Sequence, residues 1–497
     1  MPGYNDATIA QVNEIMQAAA TAAIAFRKVP PPRRAAFMKA IADGLENSGD
    51  ELLHITMAET NLPEARLRGE RMRTVFQLRS YADACARGDW QEIRIDTAIP
   101  DKVPPKPDIR KMLVPLGPVV VFGSSNFPYA YSTAGGDTAS ALAAGCPVVV
   151  KAHPAHPETS ERVAQIILQA AAATNMPGNV FAHVHGAAFE VGQALVMHPQ
   201  TKAVGFTGSY AGGKALFDLA NTRREPIPVF AEMGSVNPVY LLPEKLANDA
   251  AGIAAQYAGS ITLGVGQFCT NPGLIVGARS EGLSRFVQVL AEEIGKIPAA
   301  HMLHGGILKS YVSKRADALA QQGVTLVAKG LEGKSDEQAV ATIATVDAAV
   351  FLSNPLLHQE VFGPYSLIIQ CEDESQMLEV ARHMEGQLTT TLMATDKDVI
   401  SNIALLDAVG EKCGRLILNG VPTGVEVCPS MHHGGPFPAT TDSRFTSVGV
   451  DAIKRFARPL SLQNWPDHFL PTELQDANLA GLLRMVNGVM TTEAVIR

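Results

Sequence analysis

Between residues 117 and 234 the sequence repeatedly alternates a short apolar run with a segment of helical length. The runs are rich in β-branched residues and bounded by glycine or proline; they read GPVVVFG, CPVVVKA, VFAHVHG, TKAVGFTGS and PVFAEMG. Such runs are typical of strands buried on both faces. The alternation therefore predicts a parallel sheet with helices on both faces, and ligands of such sheets bind beyond the carboxyl ends of the strands.

The remaining sequence predicts further parts, because 497 residues are too many for one hydrophobic core. The runs PGLIVGA, GVTLVAKG, AVFLSN, SLIIQCE and RLILNG predict strands of a second α/β domain over residues 251–454. Residues 1–91 have helical patterns and join residues 114–250 in the first domain. Residues 92–113 predict strands, and residues 455–497 predict an extended stretch followed by a last helix.

Several classes of protein are disfavoured by composition. The net charge of −8 and the lack of a long basic run do not favour nucleic-acid binding. No apolar run reaches the roughly 18 residues of a membrane span. The six cysteines form no CxxC pair, so neither a disulfide framework nor a zinc site is predicted. Without a secretion signal, reduced thiols in the cytoplasm are expected.

Two residues are candidates for covalent chemistry. Cys269 lies in the glycine-flanked loop GVGQFCTNPG, where a thiol can reach a ligand, although a packed cysteine is an equal alternative. Glu232 ends the apolar run FAEMGS, and a carboxylate there is costly unless it is paired or in use. It could act as a general base with a pKa raised by apolar neighbours, or it could cap a nearby helix.

Other candidates follow predicted strands and have plain alternatives. In GFTGSYAGG, Gly208, Ser209 and Gly213 allow a phosphate to approach the backbone, although a simple glycine-rich turn fits as well. The Asn126 amide in FGSSNFP could donate to an oxyanion, or it could stabilise a turn. Lys151 in VVVKAHPAHP could bind a ribose or a phosphate, or it could be a surface lysine.

The last candidates lie in the second half of the chain. Glu360 in QEVFGP could hold a ribose diol. His432 and His433 in PSMHHGGPFPA have no Cys, Asp or His at metal-ligand spacing along the sequence, so no metal site is predicted. One of them could lower the pKa of a thiol, or both could be loop histidines with hydrogen-bond partners.

Taken together and in this order, FGSSNFP, VVVKAHPAHP, GFTGS, FAEMGS, GQFCTNPG and EVFGP resemble the motifs of the aldehyde dehydrogenase superfamily. The resemblance runs from the N-terminal helices to about Leu460. Longer strings, among them PVFAEMGSVNPV and GGPFPATTDSRFTSVG, are similar to the 2,5-dioxovalerate (α-ketoglutarate semialdehyde) dehydrogenases and to related NADP-dependent fatty aldehyde dehydrogenases.

The resemblance implies a fold and a set of residue roles. The fold would combine a Rossmann-like cofactor domain, an α/β catalytic domain and a β oligomerisation segment. Cys269 would attack the aldehyde carbon, Asn126 and the Cys269 backbone N–H would stabilise the oxyanion, and Glu232 would activate the water that hydrolyses the thioester. The cofactor-binding residues would be Lys151, Gly208, Ser209, Gly213, Met233, Glu360 and Phe362.

The sequence departs from the usual superfamily pattern at the cofactor. Pro154 stands where NAD-selective members carry a glutamate that binds the ribose 2′-hydroxyl. Without that carboxylate a 2′-phosphate is tolerated, and Lys214 is a candidate to contact it. The cofactor is therefore expected to be NADP or NAD, with NADP favoured by the similar branch.

The expected substrate is a small aldehyde, 2,5-dioxopentanoate, which would be oxidised to 2-oxoglutarate. Its carboxylate calls for a basic residue in the pocket, and Arg444 in TTDSRF is one candidate unless it forms a structural ion pair. A medium- or long-chain fatty aldehyde is the alternative substrate. A non-catalytic member of the fold is a third possibility, but it would be expected to lack Cys269 or Glu232. The predicted strand edges imply a homodimer or homotetramer.

Overall fold

The computed structural model describes residues 3–496, and its first part is helical as predicted. Four helices come first: α1 (Ile9–Phe26), α2 (Pro31–Glu46), α3 (Glu51–Thr60) and α4 (Glu64–Arg87). A capping box begins α1, because Thr8 accepts from the Gln11 backbone N–H while the Gln11 side chain accepts from the Thr8 backbone. Two short strands follow: β1 (Arg94–Asp96) and β2 (Ile109–Pro115).

The predicted alternation of strands and helices forms a five-stranded parallel sheet in the order β5-β4-β3-β6-β7. Its elements are β3 (Val119–Phe122), α5 (Gly136–Ala144), β4 (Val148–Lys151), α6 (Pro157–Ala173), β5 (Phe181–Val184), α7 (Phe189–Met197), β6 (Ala203–Thr207), α8 (Tyr210–Asn221) and β7 (Val229–Glu232). The direction of winding reverses between β3 and β6. The loops after these two strands therefore border the crevice where ligands of such sheets bind.

Helices cover both faces of this sheet. Helices α2, α4, α5 and α6 pack on one face, where Phe37, Ile41 and Val121 are buried in a shared apolar cluster. Helices α1, α7 and α8 pack on the other face, around Met16 and Val120. Because successive strand residues point to opposite faces, the valine runs supply both clusters. Each fully buried aliphatic side chain contributes about 1.5–3 kcal/mol.

A second, seven-stranded sheet has the order β11-β13-β14-β9-β8-β15-β16, in which only β11 is antiparallel. The elements of this part are β8 (Val239–Leu241), α9 (Pro243–Thr262), β9 (Leu274–Ala278), α10 (Glu281–Ile294), β10 (Ala300–His301), α11 (Gly305–Leu319), β11 (Thr325–Lys329), β12 (Gln338–Ala339), β13 (Thr342–Asp347), α12 (Ala348–Ser353), β14 (Tyr365–Cys371), α13 (Glu374–His383), β15 (Gln387–Met393), α14 (Asp396–Ser401), α15 (Ile403–Gly410) and β16 (Cys413–Leu418). The second sheet begins with β8, and the predicted domain boundary at residue 250 stays a prediction.

One predicted strand of the second sheet is wrong. The run AVFLSN forms helix α12, and the strand is the preceding run TIATVD, which is β13. Thr342, Ile343, Thr345 and Val346 give this run its β-branched character. Asp347 then takes an extended conformation as the residue before α12. The run AVFLSN is therefore helical, because the preceding run TIATVD already forms the strand at this place in the sheet.

The predicted last helix is also wrong, because residues 457–496 contain no α-helix. They form β17 (Ala457–Gln463), two single 3-10 turns, β18 (Arg484–Val486) and β19 (Val489–Thr491). Asn487 and Gly488, both with positive φ, make the two-residue turn between β18 and β19. Asn-Gly is a strong hairpin signal because both turn positions need positive φ. These strands join β1 and β2 in a third sheet with the order β17-β2-β1-β18-β19.

The structure also bears on the cysteines and on membrane insertion. All six cysteines are free thiols. Within residues 3–496, none of the helices combines the length and the apolar composition needed to cross a bilayer.

A buried arginine fastens the tail to the third sheet. The Arg110 side chain is fully buried and forms ion pairs with Asp108 at 2.9 Å and Asp476 at 2.7 Å. Its Nη1 also donates to the Leu474 carbonyl at 2.6 Å. A buried cation is stable only when its charge and its donors are matched in this way.

We therefore expect Arg110→Ala to lower the free energy of unfolding by about 3–5 kcal/mol, because the carboxylates of Asp108, Asp467 and Asp476 lose a buried partner. Denaturant unfolding followed by fluorescence measures this change. Arg458→Ala is the matched control, because Arg458 lies on β17 of the same sheet and is exposed. Equal stability of the two variants would contradict the role given to Arg110.

Candidate active site

The carboxyl ends of four neighbouring strands bring the candidate residues of the first domain to one edge. The last residue of β3, Phe122, pairs with Lys151 on β4 and with Phe206 on β6, and Thr207 on β6 pairs with Glu232 on β7. Asn126 follows β3, and Ser209 follows β6. The parallel register thus explains why residues far apart in sequence meet here.

The predicted nucleophile and base lie together, with a histidine between them. The Cys269 Sγ is 3.6 Å from the Nε2 of His433, and that nitrogen is 3.0 Å from Oε1 of Glu232. Glu232 and His433 are buried, and Cys269 is half-buried. A thiol, an imidazole and a carboxylate in contact can carry out nucleophilic attack and proton transfer. The loop, the strand end and the histidine doublet are therefore one site.

The segment 432–448 completes this site by crossing back to β7. Ser447 donates to Oε2 of Glu232 at 2.9 Å, and its backbone N–H donates to the His433 carbonyl at 2.8 Å. The Met233 N–H donates to the Ala439 carbonyl at 2.8 Å, and Thr440 forms a β-bridge with Glu232. The carboxylate and the imidazole are thus held by backbone pairing as well as by their own contact.

The electrostatics of the pair differ from the sequence-based expectation. Burial alone would raise the pKa of Glu232, but the charge and hydrogen bond of His433 and the Ser447 hydroxyl outweigh it, so that the pKa lies below its usual value. The expected rise was therefore wrong. Burial raises the pKa of the Cys269 thiol well above its usual value, and the negative charge of Glu232 adds to this effect. Cys269 is thus a thiol at rest beside a carboxylate.

The loop that carries Cys269 is held by buried amide side chains. Asn237 donates from Nδ2 to the backbone carbonyls of Cys269 and Asn271, both at 2.9 Å. Before the cysteine, Gly264, Val265 and Gly266 have φ values of 55°, 59° and 65°. This left-handed conformation is unusual for a β-branched residue and costs of order 1–3 kcal/mol. The contacts around residues 264–266 therefore have to stabilise a strained backbone just before the nucleophile.

The predicted oxyanion donor lies beside this loop. The Asn126 amide donates from Nδ2 to the Gln267 carbonyl at 3.2 Å, which joins it to the segment just before Cys269. The Arg66 Nη2 donates to the Asn126 carbonyl at 2.6 Å. The backbone N–H of Cys269 is close enough to its own sulfur to lower the thiol pKa. Both predicted donors are thus next to the nucleophile.

The glycine-rich loop forms the start of α8, as expected for a phosphate site. Ser209 is the N-cap of α8, and its Oγ accepts from the Gly212 N–H at 3.2 Å. Gly208 and Ser209 are exposed. Gly213 has a different role, because a Cβ there would lie 2.6 Å from the Cγ of Met233. Gly213 and Met233 therefore pack α8 against the end of β7.

The other predicted cofactor residues are Lys151, Glu360 and Phe362. Lys151 is half-buried at the end of β4, and within residues 3–496 its Nζ donates only to the Ala152 carbonyl, at 3.3 Å. Burial lowers the Lys151 pKa, and Asp6 partly opposes this change. Glu360 and Phe362 line a pocket that is partly open to solvent, together with Phe268, the neighbour of Cys269. Burial raises the pKa of Glu360 to about 7.

Three other candidates are Arg444, Lys214 and His432. Arg444 is 79% exposed and forms a bidentate ion pair with Asp442, at 2.6 and 2.8 Å. This is the structural alternative considered for that residue. Lys214 is paired with Asp218 at 2.6 Å on α8. His432 is half-buried, and burial together with His433 lowers its pKa.

Sequence reasoning missed Ser447, Asn237 and Arg66. Ser447 lies in the string GGPFPATTDSRFTSVG, but nothing in its spacing indicates a contact with Glu232. The spacing argument against a metal site also failed, since folding brings the Glu232, Cys269 and His433 ligand atoms within 4.8 Å of one another. The expectation that no metal is bound stays a prediction.

Comparison with known proteins agrees with this geometry. Residues 3–436 match the model of the aldehyde dehydrogenase family. The chain is 48% identical to alpha-ketoglutaric semialdehyde dehydrogenase 2 of Azospirillum brasilense, over 98% of this chain and 93% of that protein. It is 45% identical to alpha-ketoglutaric semialdehyde dehydrogenase of Acinetobacter baylyi, with the same shares covered. The chain therefore belongs to the aldehyde dehydrogenase family.

Solved structures agree on the fold. The glyceraldehyde-3-phosphate dehydrogenase of Methanocaldococcus jannaschii, described in complex with NADP, has a TM-score of 0.78 at 20% identity, over 93% of this chain and 96% of that one. A 1-pyrroline-5-carboxylate dehydrogenase has a TM-score of 0.77 at 20% identity, over 92% of this chain and 86% of that one. The predicted aldehyde dehydrogenase fold is confirmed.

We expect Glu232→Gln to lower the pKa of the Cys269 thiol, because it removes the negative charge that opposes the thiolate. The rate of carbamidomethylation of Cys269 by iodoacetamide, measured against pH, should then reach its midpoint at a lower pH than in the wild type. Glu225→Gln, which changes an exposed carboxylate, is the control. An unchanged or higher midpoint in Glu232→Gln would contradict the electrostatic coupling.

Proposed function

We propose that this protein oxidises 2,5-dioxopentanoate to 2-oxoglutarate, with NADP or NAD as the oxidant. The observation that carries the proposal is the contact of the Cys269 thiol, the His433 imidazole and the Glu232 carboxylate at the carboxyl end of β7. The names of the two relatives at 45–48% identity support the substrate. The presence of Cys269 and Glu232 speaks against a non-catalytic member of the fold.

The chemistry begins when Cys269 gives its proton to the Glu232 carboxylate, which lies within 4.8 Å of the sulfur. Glu232 releases this proton to solvent before it acts on water. The sulfur then attacks the aldehyde carbon, and the Asn126 amide and the Cys269 backbone N–H donate to the oxygen that becomes an alkoxide. The chemistry that a bound nicotinamide cofactor supplies is acceptance of a hydride, which leaves a thioester on Cys269. Glu232 takes a proton from the attacking water, whose oxygen displaces the sulfur and yields the carboxylate.

The substrate assignment predicts a clear order of efficiency. The kcat/KM of the wild type should be at least about tenfold higher for 2,5-dioxopentanoate than for decanal, because the site has to recognise a remote carboxylate. Reduction of the cofactor, followed by absorbance, measures both values. A higher kcat/KM for decanal would favour the fatty aldehyde alternative and reject this substrate.

The nucleophile is tested with the same assay. Cys269→Ala should lose activity by about 10⁴-fold or more, because no thioester can form. Cys85→Ala is the matched control, since Cys85 is buried in the packing of α4 and lies in another cluster. Full activity of Cys269→Ala would overturn the covalent mechanism.

Features of this chain fit a dinucleotide. The first turn of α8 offers backbone N–H groups beside Gly208 and Ser209, which suits a pyrophosphate. Lys151 has no ion-pair partner within residues 3–496, so its ammonium group is available to a ribose or a phosphate. Glu360 would hold the second ribose, and Phe362 would flank the nicotinamide. Pro154 leaves no carboxylate to repel a 2′-phosphate, so NADP is the favoured form.

Glu360 makes cofactor binding depend on pH. Its pKa of about 7 means that the carboxyl group is protonated at pH 6 and ionised at pH 8. The ionised form accepts two hydroxyl hydrogen bonds, so the affinity should rise as the pH increases through 7. Fluorescence titration of Cys269→Ala with NADP and with NAD measures it, and adding Glu360→Gln should flatten the curve whereas Glu337→Gln should not. A Kd that does not change between pH 6 and 8 would contradict this role.

We also propose a homodimer or homotetramer in the cytoplasm. The third sheet ends in two edge strands, and Val489 and Met490 on one of them are 65% and 53% exposed. An apolar strand edge of this kind is usually covered by a neighbour. A monomer in light scattering would reject the assembly. The cytoplasmic location rests on the six free cysteines.

A further inference from the structure

Three arginines lie around the nucleophile and have no ion-pair partner within the described part of the chain. Arg66 and Arg73 belong to α4, and Arg415 belongs to β16. Arg73 donates to the Val425 carbonyl, and Arg415 donates to the carbonyls of Pro422 and Gly424 at 2.7 and 3.0 Å. Arg73 and Arg415 thus donate from terminal nitrogens to the backbone of the same loop, residues 422–425.

Arg66 differs because one of its terminal nitrogens is buried and donates no hydrogen bond within residues 3–496. Nη2 donates to the Asn126 carbonyl, but Nη1 is buried without a hydrogen-bond partner, against Gly264. The nearby carboxylate of Glu70 accepts instead from the backbone N–H groups of Tyr129 and Ala130. A buried guanidinium donor without an acceptor is costly. In Arg73 and Arg415 the buried nitrogen without a partner is Nε, whereas in Arg66 it is the terminal Nη1.

The position of Arg66 relates this free donor to the reaction. The guanidinium carbon lies 4.9 Å from the ring centre of Phe127 and 4.7 Å from that of Phe268. Phe127 follows the oxyanion donor Asn126, and Phe268 precedes the nucleophile Cys269. The cation is thus held by the aromatic residues next to Asn126 and Cys269.

We propose that the Arg66 guanidinium binds the carboxylate of the aldehyde substrate, at the end remote from the aldehyde carbon. The inference rests on the proposed function, which supplies an aldehyde that carries a carboxylate. A carboxylate matches the unused Nη1 in geometry and in charge. Burial lowers the Arg66 pKa, and the negative charge of Glu70 only partly opposes this change. A bound substrate carboxylate would oppose it further.

The test compares two pairs of aldehydes of equal chain length. 4-Oxobutanoate and butanal differ only in the terminal carboxylate, whereas 2,5-dioxopentanoate and pentanal differ in the carboxylate and in the 2-oxo group. Arg66→Met keeps the apolar packing between the two rings and removes the charge. We expect the KM for each acidic aldehyde to rise about 30-fold or more relative to that of its neutral partner. Arg68→Met is the matched control on the same helix, because Arg68 is 43% exposed and pairs with Glu64 and Asp50.

The outcomes separate recognition from positioning. Because Arg66 also holds the Asn126 carbonyl, Arg66→Met is expected to reduce kcat on all four aldehydes, and only the additional KM effect on the acidic ones supports the proposal. An equal loss for acidic and neutral aldehydes would overturn it, as would a selective loss in Arg415→Met but not in Arg66→Met. Turnover of the neutral aldehydes and the melting temperature report folding, and Arg66→Lys should retain part of the discrimination.

The proposed function can fail separately. If the wild type does not oxidise 2,5-dioxopentanoate but prefers 4-oxobutanoate to butanal in an Arg66-dependent way, the substrate is wrong and the carboxylate site stands. If the wild type oxidises 2,5-dioxopentanoate and Arg66→Met retains its preference over pentanal, the function stands and the carboxylate site is rejected.

Discussion

The buried carboxylate of Glu232 is the constraint on which the site depends. Glu232 is the last residue of the apolar strand β7 and is buried, and an unpaired charge in such a position would be unstable. His433 and Ser447 supply its partners, at 3.0 and 2.9 Å. The chain therefore has to return from the second sheet to the end of β7, and that return also brings an imidazole to Cys269. The requirement to match one buried charge thus explains the course of the segment 432–448.

Most of the first sheet could be predicted from sequence because its valine runs are buried on both faces, which fits no other structure as well. The strands of the second sheet were harder to predict. AVFLSN and TIATVD are both short and apolar, and only the packing of their neighbours makes one a helix and the other a strand. In the tail a last helix was predicted, whereas residues 484–491 form a hairpin around the Asn487–Gly488 turn.

The candidate site was predictable only as a set. Cys269, Glu232 and Asn126 each had a plain alternative, and their joint order indicated the family. What the order could not give was contact between distant residues. Ser447 and Glu232 are 215 positions apart, and no spacing rule relates them. For the same reason the sign of the Glu232 pKa shift was unpredictable, because it depends on a histidine from another part of the chain.

The crossing segment has a second consequence, for the first sheet as a whole. Strand β7 is the last strand on its side, and its backbone groups pair with the segment through Met233 to Ala439 and Thr441 to Ala231. An outer strand with free backbone groups is a template on which other chains can assemble into aggregates. A cut or deletion within residues 432–448 would therefore displace His433 and at the same time expose the backbone groups of β7. Loss of catalysis and loss of solubility would then arise together.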